Sequence, residues 1–453
     1  MESKRIKVAF VSLGCPKNLI DTEIMISKLY NSGFDICADD HDADVVVINT
    51  CAFIEEAKKE AIENILDVAW LKKNRDLKGI VVTGCLPQRY REEILKELPE
   101  IDAVLGTGSI DDICTAVNSA YKRGTQKFTS FKDPSLTELG GERVVTTPDY
   151  FAYLKIAEGC DNHCSYCVIP NLRGRFRSRP LSDIVSEARE LAQLGVKEIC
   201  LVAQDTTRYG EDIYGVSALD TVIHEVSQIE GIEWVRTLYC YPDRITDSLI
   251  NEIATNPKAV KYFDIPIQHI SDNVLQRMNR RGDEKLIRSV ITRIKTAIPD
   301  AVLRTTVIVG FPGETQEDFE KLLDFVNEGN FQRLGAFEYS REEGTAAYNF
   351  DDQIDEEVKK ERREAVMLAQ QSVHIDFNRT LLGCKLKVLC DGFDEVSETY
   401  YGRTYMDAYD IDGKVFFTSE RPVSEGEFVG VEITEIFDYD LIGVALYEEK
   451  GEH

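Results

Sequence analysis

The segment EGCDNHCSYCVIP holds the densest group of reactive side chains in the chain, the thiols of Cys160, Cys164 and Cys167. Three thiols within eight residues, directly after an apolar run that predicts a strand, can converge on one metal site. A zinc ion requires a fourth ligand, and His163 is the nearby candidate. A 4Fe–4S cluster bound by three cysteines leaves one iron open for a substrate or cofactor. The spacing and the position after a strand favour this cluster over a buried structural metal site.

A second set of thiols is spread along the N-terminal part of the chain. Cys15, Cys51 and Cys85 lie in LGCPKN, NTCAF and TGCLPQ, each just beyond the end of a predicted strand. In an open parallel sheet these strand ends border one crevice, in which ligands bind. A single cysteine at such a place is more often a small buried residue. Three at equivalent positions predict a second three-cysteine cluster with another open iron.

The sequence also predicts the cellular compartment and the role of the remaining cysteines. No apolar run reaches the roughly 18 residues that a membrane span requires. The start, MESKRIKVAFVSLG, continues into Gly-Cys-Pro rather than a cleavage site, so we interpret it as a first strand of a cytoplasmic protein. Twelve cysteines in a cytoplasmic chain favour metal or redox chemistry over disulfides. The six outside the two sets are interpreted as packing residues: Cys37, Cys114, Cys200, Cys240, Cys384 and Cys390.

The element pattern divides the 453 residues into three predicted domains and a linker. Residues 1–125 alternate short β-branched runs with helical stretches, which predicts an open parallel α/β sheet with strands at 8–14, 45–49, 80–84 and 103–106. Residues 126–149 are polar and predict a linker. Residues 150–378 contain six β/α units, too few for a closed eightfold barrel, and predict an open partial (β/α)6 barrel. Residues 380–449 predict a small antiparallel β-barrel.

The cysteine loop resembles the radical S-adenosylmethionine superfamily, because its C-x-x-x-C-x-x-C pattern has an aromatic residue, Tyr166, before the third cysteine. The resemblance implies that the open iron chelates S-adenosylmethionine and that an electron from the cluster cleaves it to a 5′-deoxyadenosyl radical. The loop VIVGFPGE, with Gly310, Pro312 and Gly313, resembles the superfamily motif that packs around the adenine. The same Gly-Phe-Pro-Gly sequence is also an ordinary turn.

The order of domains resembles the methylthiotransferase family over nearly the whole chain, with a C-terminal barrel of the TRAM type. The resemblance implies that a methylthio group replaces hydrogen on an unactivated carbon. It also implies two 4Fe–4S clusters, held by the six cysteines as metal-binding and catalytic residues, and S-adenosylmethionine as both radical source and methyl donor. The auxiliary cluster would carry the sulfur, and an electron donor such as a flavodoxin or ferredoxin would reduce the enzyme.

Within this family, LGCPKN, NTCAFI, GCLPQRY, IPNLRGRFRSR and DIPIQHISDNVLQRMNRR resemble the branch that modifies an aspartate β-carbon in small-subunit ribosomal protein twelve. The tRNA enzymes carry Gln-Met-Asn after the first cysteine and Gln-Ser-Gly in place of Gln268-His269-Ile270. A basic ribosomal protein or the assembled small subunit is thus the expected partner, without a membrane or sequence-specific nucleic acid. The alternatives are a tRNA adenosine methylthiotransferase of the MiaB type and a non-catalytic iron–sulfur electron carrier or scaffold, which would not need a six-unit barrel.

Charge supplies a separate argument about the partner. The chain has a formal net charge of −27, and the part from Cys384 onwards has seventeen Asp and Glu against six Lys and Arg, a net of −11. RNA-binding barrels need a positive surface, so this one would repel RNA and attract a basic protein. The alternative is that the charge only solubilises the barrel. Reversal of several acids of this barrel to lysine should therefore weaken binding of the basic protein, for example at Asp407, Asp410, Asp412 and Glu420.

Two further groups are weaker candidates for the site. The arginine run after the cysteine loop suits recognition of a cofactor or substrate carboxylate, or is a solvated loop: Arg173, Arg175, Arg177 and Arg179. Gln268 and His269 follow a predicted barrel strand and are candidate cavity residues, although a histidine at such a place is more often satisfied within the core.

Overall fold

The computed structural model describes residues 5–122 and 126–447. The N-terminal domain contains β1 Lys7–Ser12, α1 Pro16–Asn31, β2 Asp35–Ile36, β3 Val45–Thr50, α2 Glu55–Asn74, β4 Gly79–Gly84, α3 Cys85–Tyr90, α4 Ile94–Glu97, β5 Ala103–Leu105, α5 Ile113–Lys122 and β6 Phe128–Ser130. Its strands are parallel and adjoin in the order β2-β1-β3-β4-β5-β6. Every residue of β3 and β4 is buried, as expected of central parallel strands that helices cover on both faces.

The predicted parallel sheet is confirmed, and it has two short strands that the sequence did not reveal. β2 contains two residues at one edge, and β6 contains three at the other. β6 pairs with β5 and lies inside the stretch 126–149 that the sequence predicts as a linker. Strands of two or three residues are too short to produce a periodic pattern, so sequence patterning could not have located them.

The central domain is an open barrel built on six parallel strands. Its elements are β7 Phe151–Lys155, β8 Ala157–Glu158, α6 Ile169–Arg173, β9 Arg177–Ser178, α7 Leu181–Gln193, β10 Glu198–Val202, α8 Glu211–Tyr214, α9 Leu219–Ser227, β11 Trp234–Thr237, α10 Asp247–Thr255, β12 Tyr262–Asp264, α11 Asp272–Arg277, α12 Glu284–Ala297, β13 Val302–Val309, α13 Gln316–Asn327, β14 Arg333–Glu338 and α14 Glu356–Arg379. Two three-stranded groups, β11-β10-β7 and β12-β13-β14, are joined by a bridge between Val235 and Ala259. This arrangement confirms the predicted partial barrel.

The C-terminal domain is a closed five-stranded barrel with the strand order β15-β16-β17-β19-β18. Its strands are β15 Lys385–Asp394, β16 Thr399–Arg403, β17 Val415–Thr418, β18 Phe428–Phe437 and β19 Asp440–Leu446. Four of its strand pairs are antiparallel, as predicted, but β17 and β19 pair in parallel and close the barrel. None of the helices in the described residues combines the length and apolar character that crossing a membrane requires.

The C-terminal barrel contacts the central domain through buried ion pairs and hydrogen bonds. The contacts lie near the first residues of the central domain's strands. Glu198, which begins β10, pairs with Arg236 and with Arg403, each at 2.7 Å. Asp407 accepts from Arg333 at 2.8 Å, and Asp412 accepts from the Tyr262 hydroxyl at 2.7 Å.

The positions of these two aspartates correct the sequence analysis. Asp407 is 2% exposed and the Asp412 side chain 5% exposed, so neither belongs to an acidic surface. Asp410 and Glu420 are exposed. The charge count could not separate the two pairs, because the basic partners of Asp407 and Asp412 lie in another domain.

Candidate active site between two cysteine sets

The first three cysteines, called here the auxiliary set, lie at the carboxyl ends of three neighbouring strands. Cys15 follows β1, Cys51 directly follows β3, and Cys85 directly follows β4. Because β1, β3 and β4 adjoin in the sheet, their following loops meet at one edge. The approach is close: Gly14 has a φ of +95°, and a Cβ atom there would lie 2.8 Å from the Cys51 Cβ. A side chain at position 14 would therefore displace Cys51.

Burial raises the pKa of two thiols in the auxiliary set. It raises the pKa of Cys51, and the neighbouring Cys15 thiol raises it further. Burial also raises the pKa of Cys85 to about 12, against the opposing effect of Arg173. Without a metal these two thiols are protonated at neutral pH. A cluster would have to displace those protons, as metal–thiolate binding generally does.

Asn18 on α1 fixes the loops that carry these thiols. Its side-chain amide donates to the carbonyls of Leu13 and Thr50, each at 3.0 Å, and so ties the β1 loop to the β3 loop. Its Oδ1 accepts from Arg173 and lies 3.9 Å from the Cys85 Sγ. Three of the loops around the set are thus held by one buried side chain.

Arg173 reaches the auxiliary set from the central domain, where it ends α6 just after the second group of cysteines. Its Nη2 lies 3.8 Å from the Cys85 Sγ, and its Nη1 lies 2.5 Å from the Asp21 Oδ2. Lys155 also pairs with Asp21, at 2.7 Å, and with Glu158, at 2.9 Å. Burial would raise the pKa of Glu158, but Lys155 and Arg173 outweigh it and hold that pKa at about 2.

The rest of the arginine run does not share this site. Arg179 pairs with Glu187 at 2.7 Å, and Arg177 donates to the backbone carbonyls of two loop residues. The Arg175 side chain is 85% exposed, as a solvated loop predicts. The run therefore contains four different environments, and only Arg173 adjoins a cysteine set.

The second three cysteines, called here the radical set, lie in the loop after β8. Hydrogen bonds from the barrel hold this loop: the Ser165 amide donates to the Met278 carbonyl at 2.9 Å, and the Asn279 amide group donates to the His163 carbonyl at 2.9 Å. The Tyr241 hydroxyl lies 3.5 Å from the Cys164 Sγ. Burial raises the pKa of Cys160 to about 11.

The spacing of the thiols discriminates between a single ion and a cluster. Tetrahedral zinc with Zn–S bonds of about 2.3 Å requires sulfur atoms about 3.8 Å apart. Within the described residues, the group whose ligand atoms all lie within 4.8 Å is Asp39, Asp40 and His41, on the surface, and not either cysteine set. His163 is exposed. A cubane binds each thiolate to a different iron and so does not require this close spacing.

The predicted adenine-binding turn packs against the radical loop. The Tyr166 ring lies 6.4 Å from that of Phe311, edge to face, and the Pro312 carbonyl accepts from Arg277 at 2.9 Å. Gly310 has a φ of +69°, and a Cβ atom there would overlap the Lys359 side chain; Gly313 has a φ of +80°. The turn and the aromatic residue of the cysteine loop therefore lie together.

His269 is satisfied in the core, the more common outcome considered for it. It is fully buried, accepts from the Ser271 amide at 2.9 Å and lies 3.4 Å from Glu314. Gln268 has a φ of +70° and pairs through its backbone with β13.

The structure adds Lys17 and Tyr239 to the site, which sequence reasoning missed. The ammonium of Lys17 lies 3.7 Å above the centre of the Tyr239 ring, although the two residues belong to different domains. Tyr239 has a φ of +61°, which is strained for a bulky residue. Lys17 stands in the quoted motif LGCPKN, but nothing in the local pattern indicates that its side chain is buried.

The comparisons agree with this architecture. Family models match three parts of the chain: an uncharacterised family called UPF0004 at residues 7–106, the radical SAM superfamily at 154–326, and a TRAM domain at 382–446. Among solved structures, the radical S-adenosylmethionine methyltransferase TsrM from Kitasatospora setae has a TM-score of 0.56 at 13% identity and covers 74% of this chain and 73% of its own. The cobalamin-dependent radical enzyme OxsB has a TM-score of 0.52 at 14% identity, over 81% and 56%. These two show the fold alone.

The open barrel and its superfamily match define a radical SAM protein, which implies an iron–sulfur cluster and S-adenosylmethionine. Two relatives named ribosomal protein uS12 methylthiotransferase RimO are similar over nearly their whole length. The one from Acetivibrio thermocellus is 50% identical over 98% of this chain and 99% of its own, and the one from Geobacter sulfurreducens 49% identical over 98% and 99%. The chain belongs to the RimO family of radical SAM methylthiotransferases.

Proposed function

We propose that this chain methylthiolates the β-carbon of an aspartate in ribosomal protein uS12, using two 4Fe–4S clusters. The radical set would hold the cluster that binds S-adenosylmethionine, and the auxiliary set would hold the cluster that carries sulfur. The observation that carries the proposal is the position of both sets at one domain interface, where Arg173 extends from the radical loop to within 3.8 Å of the Cys85 Sγ.

This juxtaposition suits the reaction. Replacement of a hydrogen by a methylthio group requires that one carbon be activated and then meet a sulfur atom. The segment from Tyr239 to Tyr241 spans both sets, since Tyr239 contacts Lys17 beside Cys15 while Tyr241 contacts Cys164. A substrate side chain placed along this segment would reach both clusters.

The chain's own residues would hold the reacting groups and limit access of water. A cluster bound to the radical set would supply an electron that cleaves S-adenosylmethionine to a 5′-deoxyadenosyl radical. Tyr166 and the turn with Gly310, Pro312 and Gly313 would bind the adenine, in keeping with their packing against each other. An electron donor such as a flavodoxin or ferredoxin would reduce the enzyme, and the chain would work in the cytoplasm.

A protein substrate is favoured over tRNA by the surface of the C-terminal barrel. Asp407 and Asp412 are buried, but other acids of the C-terminal barrel are exposed: Glu395, Glu398, Asp410, Glu420, Glu425, Glu435 and Asp438. Such a surface repels phosphate and attracts a basic protein. A non-catalytic electron carrier is disfavoured. Electron transfer alone would not require a barrel in which Tyr239, at a strained φ, and Tyr241 lie beside the cysteine sets.

A deletion strain tests the proposal. Ribosomal proteins and tRNA from the deletion strain, the parent and a strain complemented with this chain would be compared by mass spectrometry. We expect uS12 to lose the mass of one methylthio group in the deletion strain and to regain it on complementation, while tRNA stays unchanged. Loss of a methylthio group from tRNA, with uS12 unaltered, would refute the proposal.

A further inference from the structure

Buried cations in this protein nearly always have a carboxylate partner. Ten lysine and arginine residues of the described chain, taken with their backbone atoms, are more than nine-tenths buried. Eight of them form ion pairs with Asp or Glu: Lys155, Arg173, Arg179, Arg236, Arg333, Lys359, Arg362 and Arg403. The two that form none within the described chain are Lys17 and Arg280. Each of these two stands beside one of the cysteine sets.

Arg280 lies beside the radical set. Its guanidinium donates to the Pro266 carbonyl and lies 4.2 Å above the centre of the Tyr241 ring, whose hydroxyl is 3.5 Å from the Cys164 Sγ. A cluster there would place a thiolate directly against it. Arg280 is therefore positioned against the radical set, whereas the ammonium of Lys17 lies against the Tyr239 ring.

Lys17 is 7% exposed, and its ammonium lies over the Tyr239 ring. A cation over an aromatic face is attracted to the ring. This attraction is weaker than the cost of taking an ammonium group out of water, which an anion normally compensates. Among the described residues no carboxylate forms an ion pair with this ammonium, whose acidic neighbours include the Tyr239 hydroxyl and the Cys15 thiol. The ammonium thus lacks a carboxylate partner of its own.

Contacts within the central domain hold the Tyr239 ring in place under the Lys17 ammonium. The backbone amide of Tyr239 donates to the Asp264 carboxylate at 2.9 Å, and Asp264 is paired with Arg304 at 2.8 Å. These contacts hold Tyr239 at its strained φ and fix the ring under Lys17. Lys17 follows Cys15 by two residues, and Tyr241, two residues after Tyr239, contacts Cys164. The contact between Lys17 and Tyr239 therefore connects the segment that carries Cys15 with the segment that contacts the radical set.

We propose that Lys17 binds the side-chain carboxylate of the target residue, and so makes the site specific for an acidic side chain. This inference rests on the proposed function, in which the modified residue is an aspartate. An ammonium at this position would orient the carboxylate and leave the adjacent β-carbon facing both clusters. The neutral amide of asparagine would lose most of this interaction.

A double-mutant cycle on binding tests this role without relying on turnover. Anaerobically reconstituted enzyme would be titrated with labelled recombinant uS12 that carries either the target aspartate or asparagine in its place. For the wild-type chain we expect the asparagine form to bind at least tenfold more weakly. For Lys17→Met this ratio should fall below twofold, whereas Lys17→Arg should retain most of it. Lys28→Met, on the exposed side of the same helix, is the matched control and should behave as wild type.

The outcomes separate the two proposals. Equal aspartate-to-asparagine ratios in wild type and Lys17→Met would overturn the role of Lys17 while leaving the proposed function intact. Failure of the wild-type enzyme to bind intact uS12 would overturn both. Iron content and the midpoint potential of the auxiliary cluster should be unchanged in Lys17→Met. A shifted potential with an unchanged binding ratio would identify the lysine as a counter-ion of the cluster instead.

Discussion

Replacement of Arg173 by methionine tests how the two domains are held around the candidate site. Methionine keeps an unbranched apolar chain but removes the charge that pairs with Asp21 at 2.5 Å and with Glu158 at 3.4 Å. Two buried carboxylates would then share Lys155. Removing one partner of a buried ion pair costs about 3–5 kcal/mol. Lys155 and, after it, Arg173 hold the Glu158 pKa at about 2 against the opposing effect of burial, so the substitution removes part of this stabilisation.

Urea unfolding of the apoprotein under reducing, anaerobic conditions measures this effect. The chain has two tryptophans, of which Trp70 lies on α2 in the N-terminal domain and Trp234 in the barrel, so variants retaining one of them report each domain separately. We expect Arg173→Met to lower the free energy of unfolding by about 3 kcal/mol. Arg175→Met, two residues further along the chain with its side chain 85% exposed, should change the free energy of unfolding by less than about 0.5 kcal/mol. Equal unfolding midpoints for the two variants would refute the reasoning.

The same network predicts a dependence on pH. A carboxylate whose pKa is lower in the folded state stabilises the protein above its unfolded pKa, and this contribution is lost as the pH falls. For Glu158 the contribution should be complete above about pH 4.5 and decline towards pH 2. Arg173→Met removes one of the two cations that lower this pKa, so the variant should unfold at a higher pH than wild type. Acid titrations followed by circular dichroism with coincident midpoints would contradict this account.

Three further predictions concern the clusters and the substrate. Reconstituted protein should contain about eight irons, from two clusters of four. Simultaneous replacement of Cys15, Cys51 and Cys85 by alanine should halve the iron content and leave S-adenosylmethionine cleavage intact. Full iron retention in this variant would exclude a cluster at the auxiliary set. Replacement of Cys160, Cys164 or Cys167 should abolish 5′-deoxyadenosine formation, and a normal rate in a chromatographic assay would contradict the role of the radical set. Reversal of Glu395, Glu398, Glu425 and Glu435 to lysine should raise the KM for uS12 more than it changes kcat and should weaken the effect of salt on KM. The matched reversal of four exposed α2 acids, Glu56, Glu60, Glu63 and Asp67, should change KM less. Equal effects of the two reversals on KM would mean that the charge only solubilises the barrel.

The placement of the cysteines follows from topology, which a sequence can disclose. Cys15, Cys51 and Cys85 could be grouped because each follows a β-branched run, and parallel strands end at a common edge. The partial barrel could be counted in the same way, from six alternating units. These features depend on local periodicity and connection order, both of which are written in the chain.

Long-range electrostatics could not be predicted in the same way. Arg173 and Lys17 contact residues far away in the sequence, and each has an ordinary local context. Asp407 resembled any surface acid until its pairing with Arg333 was known. A charge count treats every ionised residue alike, whereas burial and partner choice depend on how the domains dock. The two cations beside the cysteine sets were accordingly found only in the structure.

Methyl-labelled S-adenosylmethionine provides the most direct test of the central claim. Reconstituted enzyme, a reductant, recombinant uS12 and S-adenosylmethionine with a deuterated methyl group would be incubated anaerobically, and uS12 peptides would be sequenced by tandem mass spectrometry. The account predicts one aspartate with a methylthio group on its side chain that carries the deuterium label, and no such product when either cysteine set is replaced by alanine. Unmodified uS12 together with labelled methylthio groups on tRNA in a parallel reaction would contradict it.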